Sequence, residues 1–296
     1  MIEKKAYGKI NIFLDVDSRR SDGYHNIKSI MQTVDWYDTV KVQKNSEQGI
    51  VVKCNNPNVP CDSSNIVYKV AKAFLDKIGI RCGITVEIEK NLPLAAGMAG
   101  GSSDGAATLE ALNELFGFPL SLEELVLLTR NIGADIPFCL VGGTKLISGI
   151  GDIIEDVEGD FPDCYILCAK RDCDFVSTPA AYKKLDDIYG DFLKYSYHQE
   201  LLKGVLTGIK ENSIETVISS MYNVFEEISS ETETKTEQIK YTMLQNGALG
   251  AMMSGSGPSV FGIYSNKQEA EAAGNVLLNM GIRARVCKPI SKKGLN

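Results

Sequence analysis

At 296 residues, with 44% apolar and 23% charged side chains, the chain is long enough for two ordinary domains and has neither the polarity of a disordered chain nor the composition of a membrane protein. Its net charge of −7 argues against nonspecific nucleic-acid binding, which needs a basic surface to displace counterions. An anionic ligand must then be met locally, by a few lysines or by backbone N–H groups at a helix start.

The opening stretch MIEKKAYGKINIF lacks the apolar core of a signal peptide, and no window approaches the roughly 18 consecutive apolar residues of a spanning helix. A cytoplasmic protein with no membrane partner is expected. From Ala6 to Val16 the residues alternate, with Ala6, Gly8, Ile10, Ile12, Leu14 and Val16 on one face and Tyr7, Lys9, Asn11 and Phe13 on the other, which reads as a strand. Lys9 and Asn11 then project from one side, about 6 to 7 Å apart. Further strands are expected at Ile27 to Val34, Thr39 to Gln43, Gly49 to Cys54 and Gly83 to Glu89.

Ser64 to Ile78 has its apolar residues at the spacing of one helix face, and Gly79 stops it. A second helix is expected from about Ser103 to Phe116. A third begins at Ser121, whose hydroxyl forms a capping box with Glu124, and closes at Gly133, leaving Asp135 in the turn that follows. Beyond about Asp160 come a strand (Tyr165 to Ala169), four helices (Pro179 to Leu185, Leu201 to Ile209, Ile214 to Ile228, Glu233 to Gln245), a strand (Ser259 to Tyr264), a helix (Gln268 to Met280) and a strand (Ile282 to Cys287). The class is α+β. The Gly-bearing acidic seam at 150–162 suggests domains 1–155 and 156–296. The eight cysteines include no C-x-x-C and read as reduced, mostly buried thiols.

Chemistry is concentrated in Pro93-Leu94-Ala95-Ala96-Gly97-Met98-Ala99-Gly100-Gly101-Ser102-Ser103, which follows a strand and leads into a helix. Small side chains let backbone approach a polyphosphate closely, and the unpaired N–H groups of a first helical turn supply donors to its oxygens. The segment is neither a Walker A loop nor a Rossmann glycine fingerprint.

This loop resembles the second motif of the GHMP kinases. Two further motifs of that family stand in order: Ala6-Tyr7-Gly8-Lys9-Ile10-Asn11 near the start, and Met253-Ser254-Gly255-Ser256-Gly257-Pro258-Ser259 near the end. Arg20-Ser21-Asp22-Gly23-Tyr24-His25 and Gly133-Ala134-Asp135-Ile136-Pro137-Phe138 are similar to segments of the branch that acts on a cytidine-diphosphate-linked polyol of non-mevalonate isoprenoid synthesis.

The resemblance implies a two-domain GHMP kinase fold, with an N-terminal ATP-binding domain like the second domain of ribosomal protein S5 and a C-terminal ferredoxin-like α/β sandwich. It implies transfer of the ATP γ-phosphoryl group to an alcohol, with Asp135 as general base and Lys9 stabilising the alkoxide and the transferring phosphoryl group. The loop from Pro93 to Ser103 would hold ATP phosphates, with Asn65 and Lys90 near adenine. Asn11 would orient the substrate, Tyr24 stack on cytosine, His25 bond its edge, and Tyr182 form a second aromatic wall. Mg²⁺ is expected with ATP, although no ligand set is visible. A small-molecule cytidine diphosphate substrate is the implied partner, and the protein is expected as a monomer or homodimer.

Met98 replaces the family's usual leucine, Ala99 a glycine and Gly105 an alanine; Ala99 is cheap only if its backbone is not left-handed. Two rival readings are weaker. Gly101-Ser102-Ser103-Asp104-Gly105 fits the G-x-S-x-G elbow of esterases, with Asp135 and His198 following, but the Ala/Gly run before it has poor strand character, and His198 lies in the polar stretch Tyr195 to Gln199. A catalytically silent sensor is disfavoured by the presence of both Lys9 and Asp135.

Overall fold

The computed structural model describes residues 1–174, 176–189, 198–227 and 231–291; Tyr195, Ser196 and Tyr197 of the polar stretch lie outside the described residues, as does Ile228. Two long strands open the chain, β1 (Ile2–Arg19) and β2 (His25–Asn45). Two separate strands were expected over the second span because Asp35 to Asp38 reads as a polar break. The strand continues because those groups find partners: Asp38 accepts from the backbone N–H groups of Asn91 and Leu92, and the Trp36 indole donates to the Asn91 carbonyl.

By contacts the chain forms two compact units, and β1 and β2 each begin in one and continue in the other. The first unit is Met1–Gly8, Trp36–Leu92 and Ala99–Val141. Here β3 (Ile50–Cys54) runs parallel to β4 (Gly83–Glu89), and β4 pairs antiparallel with the second half of β2, from Thr39 opposite Glu89 to Asn45 opposite Gly83. Four helices complete the unit: α1 (Ile66–Ile78), α2 (Gly100–Leu115), α3 (Leu122–Thr129) and the unanticipated α4 (Ile136–Val141). Val40, Val42, Ile84 and Val86 bury against Phe74, Leu109 and Leu112.

The helix signals operate as the sequence indicates. Gly79 ends α1 in a left-handed conformation at φ 69°, and Ser121 and Glu124 complete the capping box of α3. Gly105 has a local cause: a Cβ there would lie 2.8 Å from Ile66 Cγ2, so alanine would require the Ile66 side chain or the backbone to shift.

The second unit is Lys9–Asp35, Pro93–Met98 and Gly142–Asn296. Two short strands that the sequence reading lacked, β5 (Thr144–Ser148) and β6 (Ile153–Asp156), extend from the first half of β2. The chain then runs through β7 (Tyr165–Lys170), α5 (Thr178–Tyr189), α6 (Gln199–Lys210), α7 (Ile214–Ser219), β8 (Tyr222–Asn223), a 3₁₀ turn (Val224–Glu227), α8 (Glu231–Gln245), β9 (Gly250–Met253), β10 (Val260–Tyr264), α9 (Lys267–Asn279) and β11 (Arg283–Cys287). The long helix expected from Ile214 to Ile228 stops at Ser219 because β8 pairs with β1 at Phe13 and Leu14, and the Asn223 amide donates to the carbonyls of Met253 and Gly255.

Strands β11, β7, β10 and β9 form an antiparallel sheet in that order. With α8 and α9 as its connections this is a β-α-β-β-α-β unit, the ferredoxin-like arrangement expected for the C-terminal half. Leu167, Val260 and Tyr264 pack against Ile239 and Met243 of α8 and against Ala270, Ala273 and Leu277 of α9.

The contact units depart from a division at 155/156, since Lys9–Asp35 and Pro93–Met98 group with the C-terminal half. The cause is that long strands carry their two ends into different packing environments. All eight cysteines are free thiols, but only Cys164, Cys168 and Cys287 are fully buried; Cys61 and Cys173 are exposed, which corrects the expectation of mostly buried thiols.

Candidate active site

Residues from all three motifs meet in one hydrogen-bonded cluster of the second unit. Lys9 is 4% exposed, and its ammonium donates to Asn11 Oδ1 at 2.7 Å and to the Gly97 carbonyl at 2.9 Å. Ser254 Oγ donates to the same carbonyl at 3.0 Å and accepts from the Asn11 backbone N–H at 3.3 Å. The Asn11 amide nitrogen donates to Ser29 Oγ at 2.8 Å, and Ser29 in turn donates to the Phe13 carbonyl. Lys9 is thus a buried strand lysine whose ammonium is fixed in place by an amide oxygen and a backbone carbonyl.

The glycine-rich loop alternates in both burial and backbone hand. Ala96 and Met98 are buried at 4% and 1%, anchoring the loop, while Ala95, Gly97 and Ala99 have φ of 46°, 68° and 57°. Left-handed residues alternating with residues of negative φ follow the backbone pattern from which anion-binding nests are built. Gly97 is irreplaceable: a Cβ there would lie 2.0 Å from the Ser254 carbonyl oxygen. Lys170, 3% exposed, holds the start of the loop by donating to the Leu94 carbonyl at 2.8 Å. Burial pushes the pKa of this ammonium down, against the pull of Asp172 and Asp174.

In the first unit the helix opens three residues earlier than expected. Ala99 is the N-cap of α2 and provides no side-chain cap; the N–H of Ser103 bonds back to the Ala99 carbonyl at 2.8 Å, so the N–H groups of Gly100, Gly101 and Ser102 form the orphan first turn. Ser103, expected at the helix mouth, is 2% exposed, and its hydroxyl faces inward, bonded to the carbonyls of Tyr7 and Ala99 and 3.4 Å from Cys139 Sγ. A serine inside a helix with these partners is not a nucleophile elbow. His198 instead engages Asp15, through its backbone N–H at 2.9 Å and through Nδ1 at 3.2 Å. The esterase reading is thereby removed.

Lys90 is buried rather than exposed, and its ammonium bridges two carboxylates, Asp38 Oδ2 and Asp104 Oδ2. Burial works against the charged lysine, but Asp104 and Asp38 outweigh it and hold its pKa above the ordinary value. Two carboxylates on one ammonium leave an excess negative charge, and burial pushes Asp104 up to about 8 against the pull of Lys90. The other oxygen of Asp104 has no hydrogen-bond partner among the described residues. Asn65 is the N-cap of α1, accepting from the Val67 N–H at 2.8 Å and donating to the Pro60 carbonyl. Both side chains expected near adenine are therefore engaged by protein. Asp135 stands half-buried in the turn leading into α4, its carbonyl accepting from the Cys139 N–H.

The aromatic residues are arranged differently from the slot the sequence suggested. Tyr24 is 62% exposed, whereas His25 is buried and stacks on Tyr182, with centroids 4.8 Å apart and planes 24° from parallel. Tyr182 also meets Phe225 edge-on at 5.0 Å. One face of the expected second wall is thus taken by His25, leaving Tyr24 as the open stacking surface. His25 Nε2 lies 2.8 Å from Asp186 Oδ1.

Sequence reasoning missed Ser29, Asp38, Asp104, Lys170 and Asp186. Ser29, Asp38 and Lys170 carried a usable signal, since each is a polar residue set in or beside an apolar strand run. Asp104 and Asp186 lie on helices, where a carboxylate reads as solvated. Among the described residues no group of three His, Cys, Asp or Glu side chains is placed to hold a metal, and no helix is long and apolar enough to cross a membrane. A magnesium ion that accompanies ATP needs no such group of three, since it usually takes one or two carboxylates together with substrate phosphates and waters.

Residues 65–143 match the family described as GHMP kinases N terminal domain, and residues 205–283 the one described as GHMP kinases C terminal. A 4-diphosphocytidyl-2-C-methyl-D-erythritol kinase of Caldicellulosiruptor saccharolyticus is 42% identical over 273 residues, covering 92% of this chain and 91% of the relative. The enzyme of that name from Clostridioides difficile is 43% identical over 269 residues, covering 91% and 88%. A crystal structure of 4-(cytidine 5'-diphospho)-2C-methyl-D-erythritol kinase superposes with a TM-score of 0.78 at 26% identity, over 97% of this chain and 99% of that one. The three converging motifs, the two-part fold and similarity to these relatives over about nine-tenths of the chain together establish that the chain belongs to the GHMP kinases, in the 4-diphosphocytidyl-2-C-methyl-D-erythritol kinase family.

Proposed function

We propose that the protein transfers the γ-phosphoryl group of ATP to the 2-hydroxyl of 4-diphosphocytidyl-2-C-methyl-D-erythritol, a step of non-mevalonate isoprenoid synthesis. The observation that carries the reading is the convergence of three segments distant in sequence, through Lys9 and Asn11, Gly97 and Ser254, on the Gly97 carbonyl and on Asn11. It is supported by relatives of that name matching nine-tenths of the chain at about 42% identity.

In this reading the polyphosphate rests on the nest from Ala95 to Ala99 and on the N–H groups of Gly100, Gly101 and Ser102, whose dipoles favour anions. In-line phosphoryl transfer asks for positioning and charge stabilisation more than covalent chemistry. Lys9, held by Asn11 and Gly97, stabilises charge on the transferring group and on the alkoxide, and Asp135 takes the hydroxyl proton. Tyr24 stacks on cytosine and His25 reads its edge. Asn65 and Lys90 bear on adenine only by shaping the elements they hold. Mg²⁺ accompanies ATP, with no step assigned to a protein-bound ion. In functional terms residues 1–155 provide most of the ATP site, and 156–296 add Tyr182 and Ser254. Acting on soluble metabolites, the enzyme belongs in the cytoplasm.

A coupled assay of ADP release tests this with three acceptors. Turnover is expected with 4-diphosphocytidyl-2-C-methyl-D-erythritol and none above background with mevalonate or homoserine; preference for either of those would reassign the substrate.

A further inference from the structure

The proposed cytidine site contains a constraint that none of the sequence motifs holds. The His25 side chain is 7% exposed, with Nε2 at 2.8 Å from Oδ1 of Asp186 on α5. The second oxygen of that carboxylate lies 3.5 Å from Arg19 Nη1. An ionised carboxylate only accepts hydrogen bonds, so the proton between the two groups sits on Nε2. In the neutral ring Nδ1 is then left with a lone pair, because the hydrogen bond at one nitrogen sets the state of the other. Stacking on Tyr182, itself held edge-on by Phe225, keeps the imidazole from swinging.

The Nδ1 edge is open. Among the described residues no hydrogen bond reaches it, yet it is not one of the buried, unpaired side-chain atoms, which are Asn45 Oδ1, Asp104 Oδ1, Arg171 Nε and Ser259 Oγ. An acceptor fixed on a rigid ring at the edge of a base site demands a donor. Cytosine presents its exocyclic amino group; uracil in the same pose presents a carbonyl oxygen, setting lone pair against lone pair.

We propose that Asp186 is a specificity-determining residue, holding the proton on His25 Nε2 so that Nδ1 selects an amino-bearing pyrimidine over one carrying a carbonyl there. Asp186 touches no substrate in this account; it acts through His25. The inference rests on the proposed cytidine substrate and deepens it.

The test uses CMP and UMP as probes at pH 8, where an ordinary imidazole is neutral. The chain has only two histidines, so nitrogen-15 NMR of the wild-type protein reports the His25 tautomer after assignment with a His198→Gln variant. The expected results are an Nε2–H tautomer and CMP bound at least about 10-fold more tightly than UMP, the loss that follows from leaving a buried polar group unpaired. Asp186→Ala should bring the CMP-to-UMP ratio toward one with ATP affinity unchanged, whereas Asp186→Asn should retain the preference because its amide oxygen still accepts from Nε2–H. An Nδ1–H tautomer in the wild type, or an Asp186→Ala variant that loses thermal stability and weakens both nucleotides equally, would overturn the proposal. If Asp186→Ala does not fold, the wild-type tautomer and Asp186→Asn decide. Should the acceptor assay fail while the CMP preference and tautomer hold, the proposed reaction is wrong and this inference stands; turnover with no CMP preference sinks the inference alone.

Discussion

Ala99 shows what a single methyl group costs. It occupies a left-handed position at φ 57°, where a side chain crowds the following carbonyl by roughly 1–2 kcal/mol. The departure from glycine was visible in the sequence, but its consequence was not, because backbone hand is set by the neighbours that anchor the loop, the buried Ala96 and Met98. Lys9 and Asn11 were legible for a simpler reason, since a strand's two-residue repeat places them together without knowledge of anything else. Ser103 misled because a serine after glycines reads as an N-cap, whereas Ala99 holds that position. In the proposed reaction the chemistry turns on Asp135. Replacing it with asparagine keeps its shape and removes the base, so turnover should fall by about 10²- to 10⁴-fold with ATP affinity nearly intact. Unchanged turnover in that variant would remove Asp135 from the mechanism.

At the scale of elements, α1 and α3 were legible because their boundaries are written in side chains: Asn65 and Gly79 for one, Ser121 and Glu124 for the other. β2 was not, because the partners of Asp38 lie more than fifty residues away in sequence. The start of α2 is held by the buried Lys90, Asp38 and Asp104 group, and this distinguishes two roles for Lys90. Lys90→Met leaves two buried carboxylates without their cation, and chemical denaturation should show a loss of about 3–5 kcal/mol. A residue that only touched adenine would lower ATP affinity at constant stability.

The same helix carries Glu110, whose carboxyl burial pushes up to about 7, with Lys4 pulling the other way. A folded-state value above the unfolded one means that the native state holds a proton the unfolded chain has released, so this residue makes stability fall as pH rises from about 4.5 to about 7. Glu110→Gln should therefore raise the thermal midpoint at pH 8 and change it little at pH 4; an equal shift at both would exclude this cause.

Across the whole molecule, the motifs at the beginning, middle and end of the chain gave the family, and the ferredoxin-like C-terminal sheet was legible only through that resemblance, since the expected element order lacked β9. What the sequence did not reveal was how contacts apportion the chain, because β1 and β2 each run through both units and local patterning cannot say where a strand changes company. Short strands such as β5, β6 and β9 were also hidden, being too brief to show a period. The central claim is a phosphoryl transfer to an alcohol that leaves the cytidine diphosphate linkage intact. Phosphorus NMR of the wild-type protein with ATP, Mg²⁺ and 4-diphosphocytidyl-2-C-methyl-D-erythritol tests it most directly. Loss of the ATP γ resonance should be matched by a new phosphomonoester resonance, with the substrate's diphosphate pair preserved. Inorganic phosphate in its place, or cleavage of that diphosphate, would contradict the account.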